Sequence, residues 1–264
     1  MSDIYNATTR FSNRVDDYLR YRPRYPQEVI SFLRESGYLS QSDVIADIGS
    51  GTGFLSLMFL EIGNKVFAVE PNKEMRLAGE QFLMGHGDVA SIDGTAEATT
   101  LPELSVDIVT AAQAFHWFDI EKFRDECRRI LRGKALAIMM WNIRDQESTP
   151  FLRAYEQLLR VHGTDYAQIR HHDISDDEVG VFYGGAGCRI QSFPNNQVLD
   201  FESVKGRLLS ASYVPKTGEK GFDPMIADLR KIFDQHQQDG AVEIRYTTKL
   251  FIGKVPSHVP QQSA

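Results

Sequence analysis

The chain has 264 residues and a formal charge of −7, with 42% hydrophobic and 25% charged residues. That is the composition of a water-soluble globular protein whose core needs no disulfide or metal staples. The acidic balance argues against nucleic acid or an anionic membrane as the main partner, and no apolar run approaches the roughly 20 residues of a membrane span.

The N-terminus has no basic-then-apolar block, so a cytoplasmic protein is expected. The two cysteines, Cys127 and Cys188, form no CxxC pair and have no His at ligand spacing. No metal site is expected.

The first 26 residues are rich in Arg and Tyr: Arg10, Arg14, Arg20, Arg22 and Arg24 stand beside Tyr18, Tyr21 and Tyr25. Pro23 and Pro26 stop any helix there. An amphipathic helix is predicted from Gln27 to Ser36, with Val29, Ile30 and Leu33 on one face and Gly37 as its stop. The pattern then alternates. Short apolar strands are predicted over 44–48, 65–70, 89–93, 106–112 and 135–141. Helices are predicted between them over 53–61, 73–84 and 120–131. This alternation implies βαβ units and a parallel sheet with right-handed crossovers. After Trp141 it loosens. Helices are expected over 151–162, 176–183, 201–212 and 224–238, a strand or strand pair over 190–199, and a closing strand over 242–252. The polar tail from Pro256 to Ala264 is expected to fray.

In an open parallel sheet, ligands bind at the carboxyl ends of the strands near the switch in strand order. The first strand runs into Asp47-Ile-Gly49-Ser-Gly51-Thr-Gly53, and Glu70 ends the second strand about 20 residues on. Glycines permit a tight turn and close approach of a ligand. Glu70 is placed to accept hydrogen bonds from ribose hydroxyls. Two ligand classes compete. The dinucleotide pattern G-x-G-x-x-G would put its third glycine on Phe54, so that match fails. Asp47 also has the wrong sign for a pyrophosphate. S-adenosylmethionine carries an ammonium and a sulfonium and no phosphate, and a carboxylate there favours it, directly or through water.

The stretch VIADIGSGTGFLS resembles the first motif of the class I S-adenosylmethionine-dependent methyltransferases, and VFAVEPNKEM resembles their second-strand motif. Asp93-Gly-Thr-Ala-Glu97 is similar to their segment after the third strand. SVDIVTAAQAFHWFD, YLRYRPRYP, GRLLSASYVP and YTTKLFIGKV look like the branch with trans-aconitate methyltransferases and related small-molecule enzymes. One departure is Leu131-Arg132-Gly133-Lys134, where the family often has Lys-Pro-Gly-Gly before the fifth strand; that turn is structural.

The resemblance implies an α/β, Rossmann-like fold: a mostly parallel seven-stranded sheet with helices on both faces and a helical lid. It implies one domain over 1–264, with a cofactor-binding core and N-terminal lid segment over 1–143, helical insertions and an acceptor-side lid over 144–240, and a final strand and tail over 241–264. S-adenosylmethionine is the implied cofactor. Gly49, Ser50 and Gly51 would lie under its methionine part, with Pro71, Asn72 and Met75 flanking the adenosine. Thr95, Ala96 and Glu97 would border the adenine. Gln113, Ala114 and Phe115 would end the fourth strand facing the methyl group. Arg22, with Tyr21 beside it, would close the carboxylate end. Trp117, Trp141, Asn142 and Arg144 would line the acceptor pocket. His116 has two readings, a general base or a residue that positions the acceptor. The implied partner is a small-molecule methyl acceptor, a carboxylate or hydroxyl oxygen. Two alternatives stay open: a protein that binds the cofactor without catalysis, and a nicotinamide-dependent dehydrogenase on a similar sheet.

Overall fold

A computed structural model describes residues 15–164, 166, 175–184 and 187–256. Arg10 and Arg14, and the expected tail beyond Pro256, lie outside the described residues. Seven strands form one sheet in the order β3-β2-β1-β4-β5-β7-β6. They are β1 (Val44–Ile48), β2 (Lys65–Val69), β3 (Val89–Ile92), β4 (Val106–Ala112), β5 (Leu131–Arg144), β6 (Arg189–Leu199) and β7 (Val242–Lys254). The pairs β1–β2, β1–β4, β2–β3 and β4–β5 are all parallel. The chain steps outward from β1 to β3 and then returns to β4. The order therefore switches between β1 and β4, which is where such a sheet opens a crevice.

The helices are α1 (Val15–Tyr21), α2 (Glu28–Glu35), α3 (Phe54–Glu61), α4 (Lys73–Phe82), α5 (Ile120–Ile130), α6 (Pro150–His162), α7 (Asp176–Tyr183), α8 (Phe201–Leu209) and α9 (Phe222–His236). The chain divides into two compact units. Of the described residues, one holds 25–141, 175–184, 187–193 and 249–256; the other holds 15–24, 142–164, 166 and 194–248.

In the larger unit, strand alternation sorts side chains onto two faces. Ala46, Ile48, Val109, Ala111, Ala137 and Met139 pack with Phe123, Cys127 and Ile130 of α5 and Phe182 of α7. Ile45, Ile108, Leu136, Ile138 and Met140 pack with Val29, Ile30 and Leu33 of α2 and Met58 and Phe59 of α3. Strands covered on both sides are apolar throughout, as ALAIMMW is. Helix α3 is buried from Phe54 to Leu60, so it has no polar face to show as amphipathic.

The smaller unit has its own core. Leu152, Tyr155 and Leu159 of α6, Val204 and Leu208 of α8, and Met225, Leu229 and Phe233 of α9 pack on Ile244 and Tyr246. Helix α1 docks on α8 where Gly206 has no side chain, and a Cβ there would overlap the Tyr21 ring.

The boundaries differ from expectation mainly at β5, which starts at Leu131 and not Ala135. The register against β4 slips between Val106 and Ile108, and Gly133 and Ala135 both have positive φ. The Leu-Arg-Gly-Lys segment is thus a bulged stretch of strand, because a bulge uses the same residues as a turn. The segment 190–199 forms one strand, β6.

Candidate active site

The turn after β1 is tied to the end of β2. Gly49 and Ser50 both donate their N–H to Val69 O, at 2.9 and 3.1 Å. Gly49 and Gly51 have φ of +66° and +56°, values that side-chain-bearing residues avoid. A Cβ on Gly49 would stand 2.6 Å from the Ala114 Cβ, so the turn touches the end of β4 through a missing side chain. A Cβ on Gly51 would meet Met75 Cε at 3.4 Å and nothing else within 4 Å. The space over Gly51 is open to a ligand. Gly49→Ala should cost about 2 kcal/mol of stability through clash and strain, measured by denaturant unfolding. Gly180→Ala, on an open helix position, should instead gain roughly 0.5–1 kcal/mol.

Asp47 lies beneath the turn and is 1% exposed. Its two carboxylate oxygens accept from Ser56 Oγ at 2.7 Å and Thr110 Oγ1 at 3.0 Å. Burial pushes its pKa up to about 6; the two hydroxyls pull the other way, and the Glu70 charge adds to the rise. An ionised group so desolvated is stabilised by any nearby cation. Both oxygens of the Asp47 carboxylate are thus already held by the fold.

Glu70, 8% exposed, joins the two strand ends. Its Oε2 accepts from Gly51 N–H and its Oε1 from Asn72 N–H, each at 2.8 Å. Burial raises its pKa, while these two N–H groups and Arg76 oppose the rise. Each oxygen retains a lone pair for a further donor. Asn72 caps α4, its Oδ1 accepting from Met75 N–H at 2.9 Å. Met75 is buried beneath Gly51, and Pro71 is half-buried at the rim.

The loop after β3 carries Thr95, Ala96 and Glu97. Ala96 is buried and Thr95 exposed. Glu97 Oε1 accepts from Asp119 N–H at 2.9 Å. The loop is clamped from α5: Glu126 Oε1 accepts from both the N–H (2.8 Å) and the Oγ1 (2.5 Å) of Thr99. Burial works against the Glu126 carboxylate, but Arg129 and the Thr99 donors outweigh it and hold its pKa low.

At the end of β4, Gln113 has a φ of +57°, a strained value for a residue with a side chain. Its N–H donates to Met140 O at 2.9 Å. Ala114 is buried against the glycine turn. Phe115 is fully buried, with Phe118, Phe123, Trp141 and Phe182 all 5.6–6.1 Å from its ring. His116 is exposed, and its ring lies 4.8 Å from that of the half-buried Trp117. Trp141 is half-buried, edge-on to Phe115 and Phe251.

Tyr21, Arg22 and Asn142 belong to the smaller unit. Tyr21 lies on Gly206. Arg22 donates to Ser210 O at 3.1 Å. Asn142 Nδ2 donates to Pro23 O and Arg24 O at 3.4 and 3.3 Å, and its Oδ1 accepts from Asn195 at 3.0 Å and Thr248 at 2.5 Å.

Four further residues matter that the sequence reading passed over: Ser56, Thr110, Glu126 and Thr52. The signal for the first two was a polar residue inside an apolar run, FLSLMFL and VDIVTAA. Thr52 Oγ1 is buried in the turn with no partner among the described residues.

A family described as "Methyltransferase domain" matches residues 46–139. An uncharacterised methyltransferase-like protein of Schizosaccharomyces pombe is 25% identical over 245 residues, covering 91% of this chain and 93% of its own. An uncharacterised methyltransferase of Mycobacterium bovis is 35% identical over 136 residues, 52% of this chain and 53% of its own. The chain thus spans about half the length of that mycobacterial relative. Among solved structures, one described as a type II methyltransferase from Anaeromyxobacter dehalogenans has a TM-score of 0.63 at 22% identity, covering 90% of this chain and all of its own. At that identity it speaks for the fold. The family match opens at Ala46 and closes at Met139, so it spans the glycine turn, Glu70 and the end of β4 together, and over these residues the chain is similar to a methyltransferase domain.

Proposed function

We propose that the protein transfers the methyl group of S-adenosylmethionine to an oxygen, carboxylate or hydroxyl, of a small molecule. The observation that carries this is the pairing of a buried carboxylate, Asp47, beneath an open glycine turn with a second one, Glu70, at its rim. The residues present fit the cofactor. Glu70 keeps acceptor capacity for two ribose hydroxyls, Gly51 leaves room for close approach, and Asp47 suits a cation. Gly49, Ser50 and Gly51 would hold the methionine part, Pro71, Asn72 and Met75 the adenosine, and Thr95, Ala96 and Glu97 the adenine. Gln113, Ala114 and the Phe115 backbone would border the reacting end.

When bound, S-adenosylmethionine would supply a methyl group already activated on a sulfonium, open to in-line displacement by the acceptor oxygen. The chain's own work is to orient and to exclude water. Trp117 and Trp141 suit a wall of aromatic faces, which also favours a sulfonium. An ionised carboxylate acceptor needs no base, so for it exposed His116 is assigned to positioning; a hydroxyl acceptor would instead give up its proton to the His116 imidazole. Calorimetry should detect S-adenosylhomocysteine and not NAD, and a methyl-transfer assay over small acids, phenols and amines should find turnover with an oxygen acceptor. With a carboxylate acceptor, His116→Ala should raise KM several-fold and leave kcat within a few-fold. A pH–rate profile that loses a pKa of roughly 6–7 on mutation would instead make His116 the base.

A further inference from the structure

The smaller unit buries more positive charge than the carboxylate bonded to it neutralises. Arg207 of α8 is 6% exposed. Its Nε donates to Tyr246 Oη at 2.9 Å, and an Nη reaches Ser210 Oγ at 3.5 Å. Arg144, at the end of β5, donates from Nη2 to Glu156 Oε2 at 2.6 Å and to Tyr166 Oη at 3.1 Å. Arg22 of α1 donates from Nη2 to Ser210 O, and its guanidinium stands 5.2 Å from the Tyr18 ring centre. Tyr213 is an electrostatic neighbour of all three arginines, and Arg22 and Arg207 are neighbours of each other. They form one cluster.

Glu156 is the carboxylate bonded within this cluster, and it is shared with Arg160 at 3.1 Å. The tyrosines bring dipoles and no charge, because burial pushes Tyr155 up to about 12 and raises Tyr166 as well. Burial, and then the Arg207 charge, act against the Arg22 guanidinium and lower its pKa. Among the described residues, three guanidinium groups thus face one bonded, shared carboxylate. Two of their nitrogens, Arg22 Nε and Arg144 Nη1, are buried with no partner among the described residues. So is the acceptor Oε1 of Gln197, whose Nε2 donates to Tyr21 O at 3.2 Å. Buried donors on a charged group are costly unless an acceptor meets them.

We propose that Arg22, Arg144 and Arg207 form an oxyanion-binding site of the smaller unit, whose ligand is a small compound carrying carboxylate or phosphate groups with a charge near minus two. Guanidinium forks match both groups bidentately. A zwitterion is a poor match, because its ammonium meets the same arginines. Gln197 Oε1 adds an acceptor for a hydroxyl on the ligand. The site does not depend on the methyl-transfer reading.

The test is titration calorimetry of the full chain, in physiological salt, with succinate, inorganic phosphate and neutral succinamide. One succinate or phosphate should bind per chain and raise the Tm, and succinamide should do neither. Tighter succinate assigns a carboxylate ligand; tighter phosphate assigns a phosphorylated one. Arg144→Lys and Arg207→Lys keep the charge but lose the fork, and each should weaken binding roughly tenfold. Lys231→Gln, an exposed position on α9, should leave it unchanged. Equal weakening by Lys231→Gln would reduce the effect to net charge and overturn the site. Absence of stoichiometric binding of either anion to the wild-type chain would overturn it however the variants fold.

Discussion

Glu70→Ala should weaken S-adenosylhomocysteine binding by roughly 100-fold or more and destabilise the free protein. Two effects add. The Glu70 oxygens accept from Gly51 and Asn72 N–H, and Asn72 is 2% exposed. Removing them strands donors worth about 1–3 kcal/mol each when buried. The turn then keeps only the Gly49 and Ser50 N–H bonds to Val69 O as its tie to the end of β2, so the cradle loosens before any ligand arrives. In addition, two ribose hydroxyls lose a charged acceptor, at roughly 1.5–3 kcal/mol each, which alone spans 100-fold. Glu70→Gln should fall between, because its amide keeps one acceptor and turns a donor toward the other N–H. A cycle with the 2′,3′-dideoxy analogue separates the two effects. That analogue should lose much less affinity than S-adenosylhomocysteine does on Glu70→Ala. Equal losses for both ligands would remove Glu70 from the ribose and leave it a purely structural clamp.

The place of Glu70 at a strand end was legible because its partners are near it in the chain or at an adjacent strand end. The switch between β1 and β4 was legible for a similar reason: each strand end carries a short pattern of its own. Three things were not. The extent of β5 was hidden because Gly133 punctuates like a turn while its φ of +53° serves a bulge. The clamp on the loop after β3 was hidden because Glu126 reaches Thr99 from 27 residues away. On α5 it shows only as one more charge in an amphipathic helix, although it is 7% exposed. The arginine cluster was hidden most deeply. Arg22, Arg144 and Arg207 come from three distant segments, and arginine is ordinarily a surface residue. Arg144 read as part of the acceptor pocket, Arg22 as closing the cofactor's carboxylate end, and Arg207 as one turn of a helix, so nothing joined the three. Burial turns these three into a set, and burial is a property of the fold.

Asp47 gives the second large effect, one that changes sign between stability and binding. Its pKa rises from 3.8 to about 6 on burial. Between those values the folded chain holds a proton that the unfolded chain has lost. Its contribution to stability therefore declines as pH rises from about 4 to about 6 and stays flat above, a cost of about 3 kcal/mol at neutral pH. Asp47→Asn removes that cost, since the Ser56 and Thr110 hydroxyls can each turn to accept from the amide. The variant should be more stable than the parent at pH 8 and nearly equal to it at pH 4, measured by denaturant unfolding. Binding should run the other way. A ligand bearing a sulfonium favours the ionised carboxylate, so the parent should bind S-adenosylmethionine more weakly as pH falls through about 6, approaching tenfold per pH unit below it. Asp47→Asn should bind weakly and without that dependence. Identical pH dependence in parent and variant would mean that the charge beneath the turn does not reach the ligand. The glycine cradle would then have to select its cofactor by shape and by Glu70 alone.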